Sequence, residues 1–368
     1  MVIYSKSNHV KYHTKDSEEQ VFQQIKLEAD AYFKDKSKMM AGKSLIWGKL
    51  LFFCALLGFA YFKLLHSSTF LTLELSYLSF GLVFLLIGIN YGHDAAHHCV
   101  SGNKVFDGIL FQLIFGLQGL SSYIWQIRHN FSHHIFPNVY DNDTDLEVSK
   151  YILLSPTQEK LRIHKFQHLY AIFIYMLFSL GWIYVVDIKL LLRRKHGNLS
   201  IGKIPSLELV KLIVIKIAYL FIFLVFPIVC SPFSIWTVLL AYLMMNCIAS
   251  VFLAFTFFIS HHVLETSYLE VKNDSEVVED SWIHRQVAST IDFNTHSAIA
   301  NFIFGGFNLH VAHHLFPSAS HVYLPTLTRI ITQKLKANKL DWYQEYTFFE
   351  GVKSHLALLK ANGVKMTQ

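Results

Sequence analysis

The chain has 368 residues, of which 53% are hydrophobic and 16% are charged, and its formal net charge at pH 7 is +6. A soluble domain has roughly a quarter of charged residues, so this composition indicates a membrane protein with a modest aqueous part. The positive balance fits cytoplasmic loops beside anionic lipid, and no basic stripe with interleaved aromatic residues favours nucleic acid as a partner. None of the four cysteines forms a CxxC pair, so we expect neither a disulfide framework nor a zinc knuckle.

Residues 1–43 are polar and contain no apolar stretch typical of a secretory signal peptide. Apolar residues recur at helical spacing over 17–33, which predicts a short amphipathic helix in this cytoplasmic segment, ahead of the membrane. A membrane domain is expected over 44–335. The remaining residues, 336–368, mix apolar and charged side chains at helical spacing and predict a cytoplasmic, helical C-terminal tail.

Four apolar runs are long enough to cross the roughly 30 Å hydrocarbon layer, which takes about 20 helical residues. These predicted spans cover about 45–65, 69–91, 209–230 and 234–258. Lysines precede the first span and a strongly basic loop precedes the third, whereas the short turns inside each pair of spans contain no Lys or Arg. Because basic loops stay in the cytoplasm, we expect two hairpins with both termini on the cytoplasmic side.

Two further runs, 105–125 and 167–187, are apolar but ambiguous. The first contains Asp107 and Gln112, which suit a half-buried helix, and the second is apolar enough to cross the membrane. The charge pattern favours keeping both on the cytoplasmic side as interfacial or re-entrant segments, with a crossing by the second as the alternative. The predicted fold is therefore an all-α integral membrane protein with four transmembrane helices in two hairpins, interfacial helices and a histidine-rich cytoplasmic cap.

Histidine is unusually frequent, with 21 residues, and most of the conspicuous ones are clustered. The clusters are HDAAHH from His93, HNFSHH from His129, HH at His261 and HVAHH from His310. In the predicted topology every cluster lies on the cytoplasmic face, and three of them lie near the ends of predicted membrane segments. Because the basic residues alone determined that topology, the convergence of the histidines is independent support for a common site.

Histidines three or four residues apart share one face of a helix, so each box predicts a pair that can hold one metal ion jointly. These pairs are His93 with His97, His129 with His133, and His310 with His313. A structural zinc takes four ligands, usually including cysteine, whereas this chain has at least eight clustered imidazoles and no clustered thiols. Imidazole-rich sites suit iron, copper, zinc or nickel, and the doubled histidines suggest a second metal nearby.

Isolated histidines in helices are usually surface or core residues, and we interpret those outside the clusters in this way. For some others a structural role and a role at the metal site both stay open: His98, His261, His284 and His321.

The three boxes, HDAAHH, HNFSHH and HVAHHLFP, resemble those of the membrane fatty acid desaturases, and the likeness runs from about residue 40 to about residue 335. YIWQIRHNFSHH resembles the tryptophan-led second box of that family. DNDTDLE resembles the acidic stretch that follows this box in acyl-lipid and linoleoyl-CoA desaturase-like members. GGFNLHVAHHLFP is similar to the third box of the front-end branch.

This resemblance implies a centre of two nonheme iron ions at the cytoplasmic membrane surface. The implied reaction is the oxygen-dependent removal of two hydrogens from adjacent methylenes of a long acyl chain that is linked to lipid, CoA or a carrier. We find no HPGG haem motif of a fused cytochrome b5 domain, so we expect a separate electron donor, either a ferredoxin or cytochrome b5. Carried over by position, the implied metal ligands are His93, His97, His129, His133, His134, His262, His310, His313 and His314, with His98 and His261 as further candidates.

The sequence departs from the family pattern at two of these positions. His310 stands where front-end members usually carry glutamine, so the position of the new double bond stays open. A spacing with four intervening residues, as in some acyl-CoA desaturases, would make His98 the ligand in place of His97.

Four polar residues near the boxes are candidates for orienting the imidazoles or a metal-bound water: Asp94, Asp143, Asp145 and Asn308. Helix capping or a place in a solvated loop is the alternative for each of them.

Two other functions compete with the desaturase interpretation. Related diiron hydroxylases or ketolases acting on lipid, alkane or carotenoid share histidine boxes. A metal transporter would place its ligands near the bilayer midplane, which disagrees with clusters at span ends. For a desaturase without a fused cytochrome b5, we expect a bacterial cytoplasmic membrane, with the endoplasmic reticulum membrane as the alternative.

Overall fold

The computed structural model describes residues 11–12, 15–140, 142–147, 149–193, 195–196, 199–200, 204–269, 277–278 and 280–364. In chain order the helices are α1 (Asp16–Lys34), α2 (Lys36–Leu65), α3 (Phe70–Ala96), α4 (Lys104–Leu117), α5 (Ser122–His133), α6 (Arg162–Tyr175), α7 (Phe178–Leu192), α8 (Ser206–Cys230), α9 (Ile235–His261), α10 (Trp282–Ala288), α11 (Ala298–Ile303), α12 (His310–Leu315), α13 (Leu324–Ala337) and α14 (Phe348–Val364). Short 3-10 turns cover Thr144–Leu146 and Phe307–Leu309.

The strands among these residues have only two residues each: β1 (Lys11–Tyr12), β2 (Lys195–His196), β3 (Leu199–Ser200), β4 (Val277–Val278), β5 (Asp292–Phe293) and β6 (Glu345–Tyr346). They pair as β1 with β4 and β5 with β6, both parallel, and as β2 with β3, antiparallel. These ladders only fasten loops together, so the molecule is an all-α protein, as predicted.

Four helices, α2, α3, α8 and α9, are long and apolar enough to cross a membrane. This confirms the four predicted spans and a multi-pass membrane protein. Thr69 begins α3 with a capping box to Thr72, which ends the tight turn after α2. Between the spans, Tyr77 and Phe80 of α3 pack with Phe223 of α8 and Met245 of α9, so the two hairpins share one apolar core.

The two ambiguous apolar runs are both sharply bent. Helix α4 turns by 109° into α5, and α6 turns by 75° into α7, and such bends fit a broken span as well as a re-entrant loop. At the first corner Gly119 has a φ of +74°, and an added Cβ there would lie 2.9 Å from the ring of Tyr219. Glycine is therefore required for both the backbone conformation and the close approach.

An internal ion pair holds this corner against the third span. Asp187 of α7 is fully buried and lies 2.8 Å from Lys216 Nζ of α8, and its carboxylate also accepts the backbone N–H of Ser121 at 2.8 Å. Removing one partner would leave an uncompensated buried charge, which is strongly unfavourable. The pair therefore fixes where α5, which carries the second histidine box, begins.

A cap of shorter helices covers the ends of the spans. The amphipathic α1 extends over the stretch expected to be helical, and its Val21, Ile25 and Ala29 pack in one cluster with Leu327 and Ile331 of α13. The last helix, α14, returns to pack on α6 and α9, and Gln167 Nε2 donates to Leu359 O at 2.7 Å. The third histidine box, on α12, lies inside this cap.

Candidate metal centre

Two of the helices that carry histidine boxes contain a π-helical turn just where the boxes lie. In α3 the turn covers Gly88–Gly92, directly before His93, and in α5 it covers His129–His133. A π turn inserts one residue and is frequent at functional sites. Its consequence in α5 is that His134 N donates to His129 O at 3.0 Å, so side chains five residues apart lie together.

Five histidines from all three boxes form a first group, called site A. Its members are His93, His97, His129, His134 and His313. One ring nitrogen of each lies within 4.8 Å of those of the others. His129 Nε2 lies 3.1 Å from His93 Nε2 and 2.9 Å from His134 Nε2, and His134 Nε2 lies 3.1 Å from that of His313.

Four buried histidines form a second group, called site B, beside the first. Its members are His133, His261, His310 and His314. His261 Nε2 lies 3.0 Å from His133 Nε2 and 3.2 Å from His314 Nε2. His261 ends the fourth span, so site B joins that span to the second and third boxes.

Three of the four histidines of site B have a hydrogen-bond partner on the outer ring nitrogen, whereas His310 Nδ1 has none among the described residues. His133 Nδ1 donates to the Asp143 carboxylate at 3.1 Å, His261 Nδ1 to Ser289 O at 3.0 Å and His314 Nδ1 to Gln286 Oε1 at 2.8 Å. Since each partner only accepts, the proton sits on Nδ1 and the lone pair of Nε2 faces the centre of the group. This is the tautomer that a metal ligand needs.

Burial also keeps most of these imidazoles neutral. It lowers the pKa of His97, His134, His310, His313 and His314 well below the usual range, and the neighbouring imidazoles lower it further. His133 is the exception: burial lowers its pKa, but the charge of Asp143 and its hydrogen bond outweigh this effect, and the net shift is upward. Burial raises the pKa of Asp143, but the charge of His133 and the same hydrogen bond outweigh this effect, and the net shift is downward. Neutral imidazoles beside an ionised carboxylate are the forms that bind metals.

Eight of the nine histidines implied by the resemblance lie in sites A and B. The exception is His262, which belongs to neither group, and His261 is the ninth member instead. His261 is the last residue of α9, whereas His262 leaves the helix with a φ of −123°. This turn points the His262 ring elsewhere, and its Nδ1 lies 3.0 Å from Tyr268 Oη. His98 has a φ of +57° and lies outside both groups, whereas His97 belongs to site A.

The division of the histidines between sites differs from the pairs that helical spacing predicted. His93 and His97 do share site A, but His310 shares site B with His314, four residues on, while His313 joins site A. The π turn likewise separates His133 from His129, although these two also form a smaller set with Asp145. Adjacent histidines on one helix therefore contribute to two different sites.

The four polar candidates have different surroundings. Asp143 contacts a site B ligand, and Asp145 Oδ2 lies 3.8 Å from the same His133 Nδ1. Asp94 instead accepts hydrogen bonds from Ser320 and His321, and Asn308 Nδ2 donates to Asn301 Oδ1 at 2.6 Å. Gln286 of α10 and Ser289, which directly follows this helix, were missed because neither an isolated glutamine nor a backbone carbonyl gives a sequence signal.

A cavity of about 500 Å³ leads from the two sites into the membrane core. Histidines of both sites line one part of it, and apolar side chains of α3, α7, α8 and α9 line most of the remainder. Gly81, Phe223 and Met245 of the spans line the part of the cavity that we call its deep end. Mostly polar residues beside the second box line the part that we call its polar end: Arg128, Asp145, Glu147, Ser149 and Tyr151.

Comparisons with known proteins agree with this geometry. The family model described as fatty acid desaturase matches residues 68–346. The chain is 30% identical over 275 residues to the sn-1 linoleoyl-lipid 6-desaturase of Synechocystis sp., covering 74% of this chain and 76% of that protein.

Two eukaryotic relatives extend the match. The acyl-lipid (8-3)-desaturase of Physcomitrium patens is 27% identical over 343 residues, covering 92% of this chain and 71% of that protein. The enzyme of the same name from Mortierella alpina is 26% identical over 349 residues, covering 93% and 77%. The match to the family model over most of the chain, together with the converging histidine boxes, shows that this protein belongs to the fatty acid desaturase family.

Proposed function

We propose that this desaturase holds two iron ions in sites A and B and acts on acyl chains of membrane lipids, placing the double bond near the carboxyl end. The observation that carries the proposal is the pair of buried histidine sites on the wall of one long apolar cavity. The nine ligands would be His93, His97, His129, His134 and His313 in site A, and His133, His261, His310 and His314 in site B.

The chemistry of the two groups supports iron. They consist of nine imidazoles and contain no thiol, and imidazole-rich sites suit iron as well as copper, zinc or nickel. When bound, iron would supply the oxygen activation and redox capacity that side chains lack and that zinc cannot provide.

The protein itself would bind the acyl chain of the substrate and exclude water from it. Overall, the acyl chain, one O₂, two electrons and two protons give one C=C bond and two waters. Apolar side chains such as Leu177, Phe178 and Phe257 line the cavity and would hold a pair of methylenes beside the histidines. Trp125 stacks on the His129 ring at a centroid distance of 4.1 Å and fixes one ligand's orientation.

The position of the sites along the cavity supports a double bond near the carboxyl end. Arg128 at the polar end directly precedes the ligand His129, whereas Gly81 lies roughly 18 Å from His93 along α3, at 1.5 Å per residue. An acyl chain with its carbonyl at the polar end would reach the sites within a few carbons and extend most of its length beyond them. The Synechocystis relative is named as a 6-desaturase.

The charges at the polar end support a lipid-linked substrate. Arg128 contacts Asp145 at 3.4 Å, and Arg193 lies 3.7 Å from Glu147, so positive and negative side chains alternate. A CoA thioester carries several phosphate charges and would need a basic surface at this point. Relatives named as acyl-lipid and linoleoyl-lipid desaturases support the same substrate class.

The electron donor and membrane are part of the proposal. Two electrons would come from a separate ferredoxin or cytochrome b5 on the cytoplasmic side. The basic residues before the first and third spans support cytoplasmic termini. A bacterial cytoplasmic membrane is the proposed location.

The test is a fatty acid profile of a host that lacks desaturases and supplies a ferredoxin or cytochrome b5 system. A new unsaturated acid, absent with H133A, is expected, and its fragment ions should place the double bond near the carboxyl end. A hydroxylated product would instead support the related hydroxylase activity. A double bond near the methyl end would contradict the proposed position while leaving desaturation intact.

A further inference from the structure

A buried lysine in the first span has a complete set of partners. Lys49 of α2 is 4% exposed, and its Nζ donates to Asn90 Oδ1 at 2.6 Å and to His321 Nε2 at 2.9 Å. It also lies 4.8 Å from the centroid of the Phe302 ring. Two hydrogen bonds and one aromatic face account for the three N–H groups of an ammonium.

Asp94 and Lys49 fix the tautomer of His321. The Asp94 carboxylate only accepts, so His321 Nδ1 carries the proton that is donated to Asp94 Oδ2 at 2.8 Å, and His321 Nε2 accepts from Lys49 Nζ. The same carboxylate oxygen accepts Ser320 Oγ at 2.6 Å and the backbone N–H of His321 at 3.1 Å. A neutral imidazole thus bridges a buried cation and a buried carboxylate.

These contacts join the segments that carry the first and the third histidine boxes. Asp94 directly follows His93, at the end of the second span, while Ser320 and His321 belong to the loop after the third box. His93 and His313 of site A have ring centroids only 4.4 Å apart. Their separation depends on how closely the loop approaches the span, and the hydrogen bonds to Asp94 set that approach.

The backbone segments near Lys49 also pack so closely that their separation cannot change freely. Gly305, at a φ of +57°, approaches the second span so closely that an added Cβ would lie 2.7 Å from Ile89 O. Asn90 Nδ2 donates to Ile303 O at 2.9 Å, which ties α11 to the same turn. The second span, the segment that leads into the third box and Lys49 are therefore packed against one another.

We propose that Lys49, His321 and Asp94 are positioning residues that hold the first and third histidine boxes at the separation that site A needs to bind its metal. Burying two charges costs stability relative to apolar packing, so a packing role alone does not account for them. The proposal rests on the proposed function only in taking site A as a metal site.

The test measures metal binding without turnover. Metal-free full-length protein in detergent micelles is titrated anaerobically with Fe²⁺, bound iron is counted, and both dissociation constants are determined by calorimetry. The main variant is the triple replacement K49M, H321L and D94N, which removes both charges together so that neither is left unpaired. The matched variant is H321Q, whose amide can accept from Lys49 and donate to Asp94.

We expect the triple variant to keep its helical content and to bind one iron at least about tenfold more weakly than the wild type, as is usual when groups that orient ligands are lost. H321Q should stay within about threefold of wild-type affinity for both irons. A folded triple variant that binds two irons with wild-type affinity would overturn the proposal. So would equal losses in the H321Q and triple variants, because the hydrogen bonds would then not matter.

If the triple variant does not fold, S320A decides the matter, since it keeps all charges and removes one hydrogen bond to Asp94. Weaker binding of one iron supports positioning, and unchanged affinity for both overturns it. A chain that shows this dependence but yields no unsaturated acid would refute the proposed function and leave the positioning role intact.

Discussion

At the scale of single residues, the metal sites depend on the groups behind the imidazoles as much as on the imidazoles themselves. Ser289 O and Gln286 Oε1 hold the protons of His261 and His314 on the outer nitrogens. A ligand with the wrong tautomer would present an N–H to the metal and could not bind it. Neither partner is charged, so tautomer control at these two ligands adds no buried charge to the site.

Asp143 is the charged member of this set, and its replacement should weaken iron binding. D143N should lose about 10- to 100-fold in affinity at site B, because the amide is a weaker acceptor for His133 Nδ1. D145N is the matched control, since Asp145 lies 3.8 Å from the same nitrogen and should cost much less. Calorimetric Fe²⁺ titration checks both variants, and equal losses would contradict a special role for Asp143.

Replacement of His261 and replacement of His262, which are adjacent at the end of α9, should have very different effects on iron content. H261A removes a member of site B and should reduce bound iron from two ions to one, with loss of desaturation. H262A should keep both irons, because the His262 ring is hydrogen-bonded to Tyr268 outside both groups. Iron counted by elemental analysis of the purified variants separates them. Loss of iron in H262A with retention in H261A would show that the geometric assignment is reversed.

At the scale of helices, the π turns decide which histidine serves which site. In an ordinary α-helix, His129 and His133 would lie together, but the turn at His129–His133 brings His134 beside His129 instead. His133 is thereby free to turn toward Asp143 and site B. One short segment can supply ligands to two metals because its pitch changes within the box.

The helices that line the deep end of the cavity should determine the acyl chain length that is accepted. Met245 lies across Gly81, whose added Cβ would be 2.1 Å from Met245 Sδ. M245A should lengthen the cavity and favour longer acyl chains, while G81A should push Met245 into it and favour shorter ones. Competition between acyl lipids of graded chain length, with product ratios as the readout, checks both. A shift in the same direction for both variants would contradict this arrangement.

Much of the architecture could be predicted from the sequence, but the ligand geometry could not. Apolar length and basic loops predicted the four spans, and the HxxxHH and HxxHH spacings marked eight of the nine histidines of the two sites. A π turn has no reliable sequence signal, so the division of His129, His133 and His134 was not predictable. The choice between His261 and His262 depended on where α9 ends, and helix ends are uncertain by one or two residues.

At the scale of the whole molecule, the last helix connects the metal centre to the cavity wall. His355 of α14 donates from Nδ1 to His262 O at 2.6 Å, next to the site B ligand His261. Its Nε2 accepts Tyr175 Oη at 2.8 Å, so it also holds α6. Because His262 O only accepts, this tautomer is fixed, and a protonated His355 would lose its bond from Tyr175.

This connection makes the metal-free protein acid-sensitive. Burial lowers the pKa of His355 to about 4 and that of His262 to about 3, although a hydrogen bond and Asp143, respectively, oppose the shift. Between the unfolded value of 6.5 and these pKa values the unfolded chain binds more protons than the folded one, so stability falls as the pH falls. His355 alone should cost on the order of 3 kcal/mol between pH 6.5 and 4.

The measurement is the apparent unfolding temperature of metal-free protein in detergent between pH 7.5 and 4. The control is H355N, which retains a donor for His262 O but does not titrate. Its unfolding temperature should start lower at pH 7.5, because Tyr175 loses its acceptor, yet fall less steeply below pH 6.5. Parallel curves for the two proteins would mean that His355 stays protonated or is already exposed, and the predicted link between α14 and acid stability would fail.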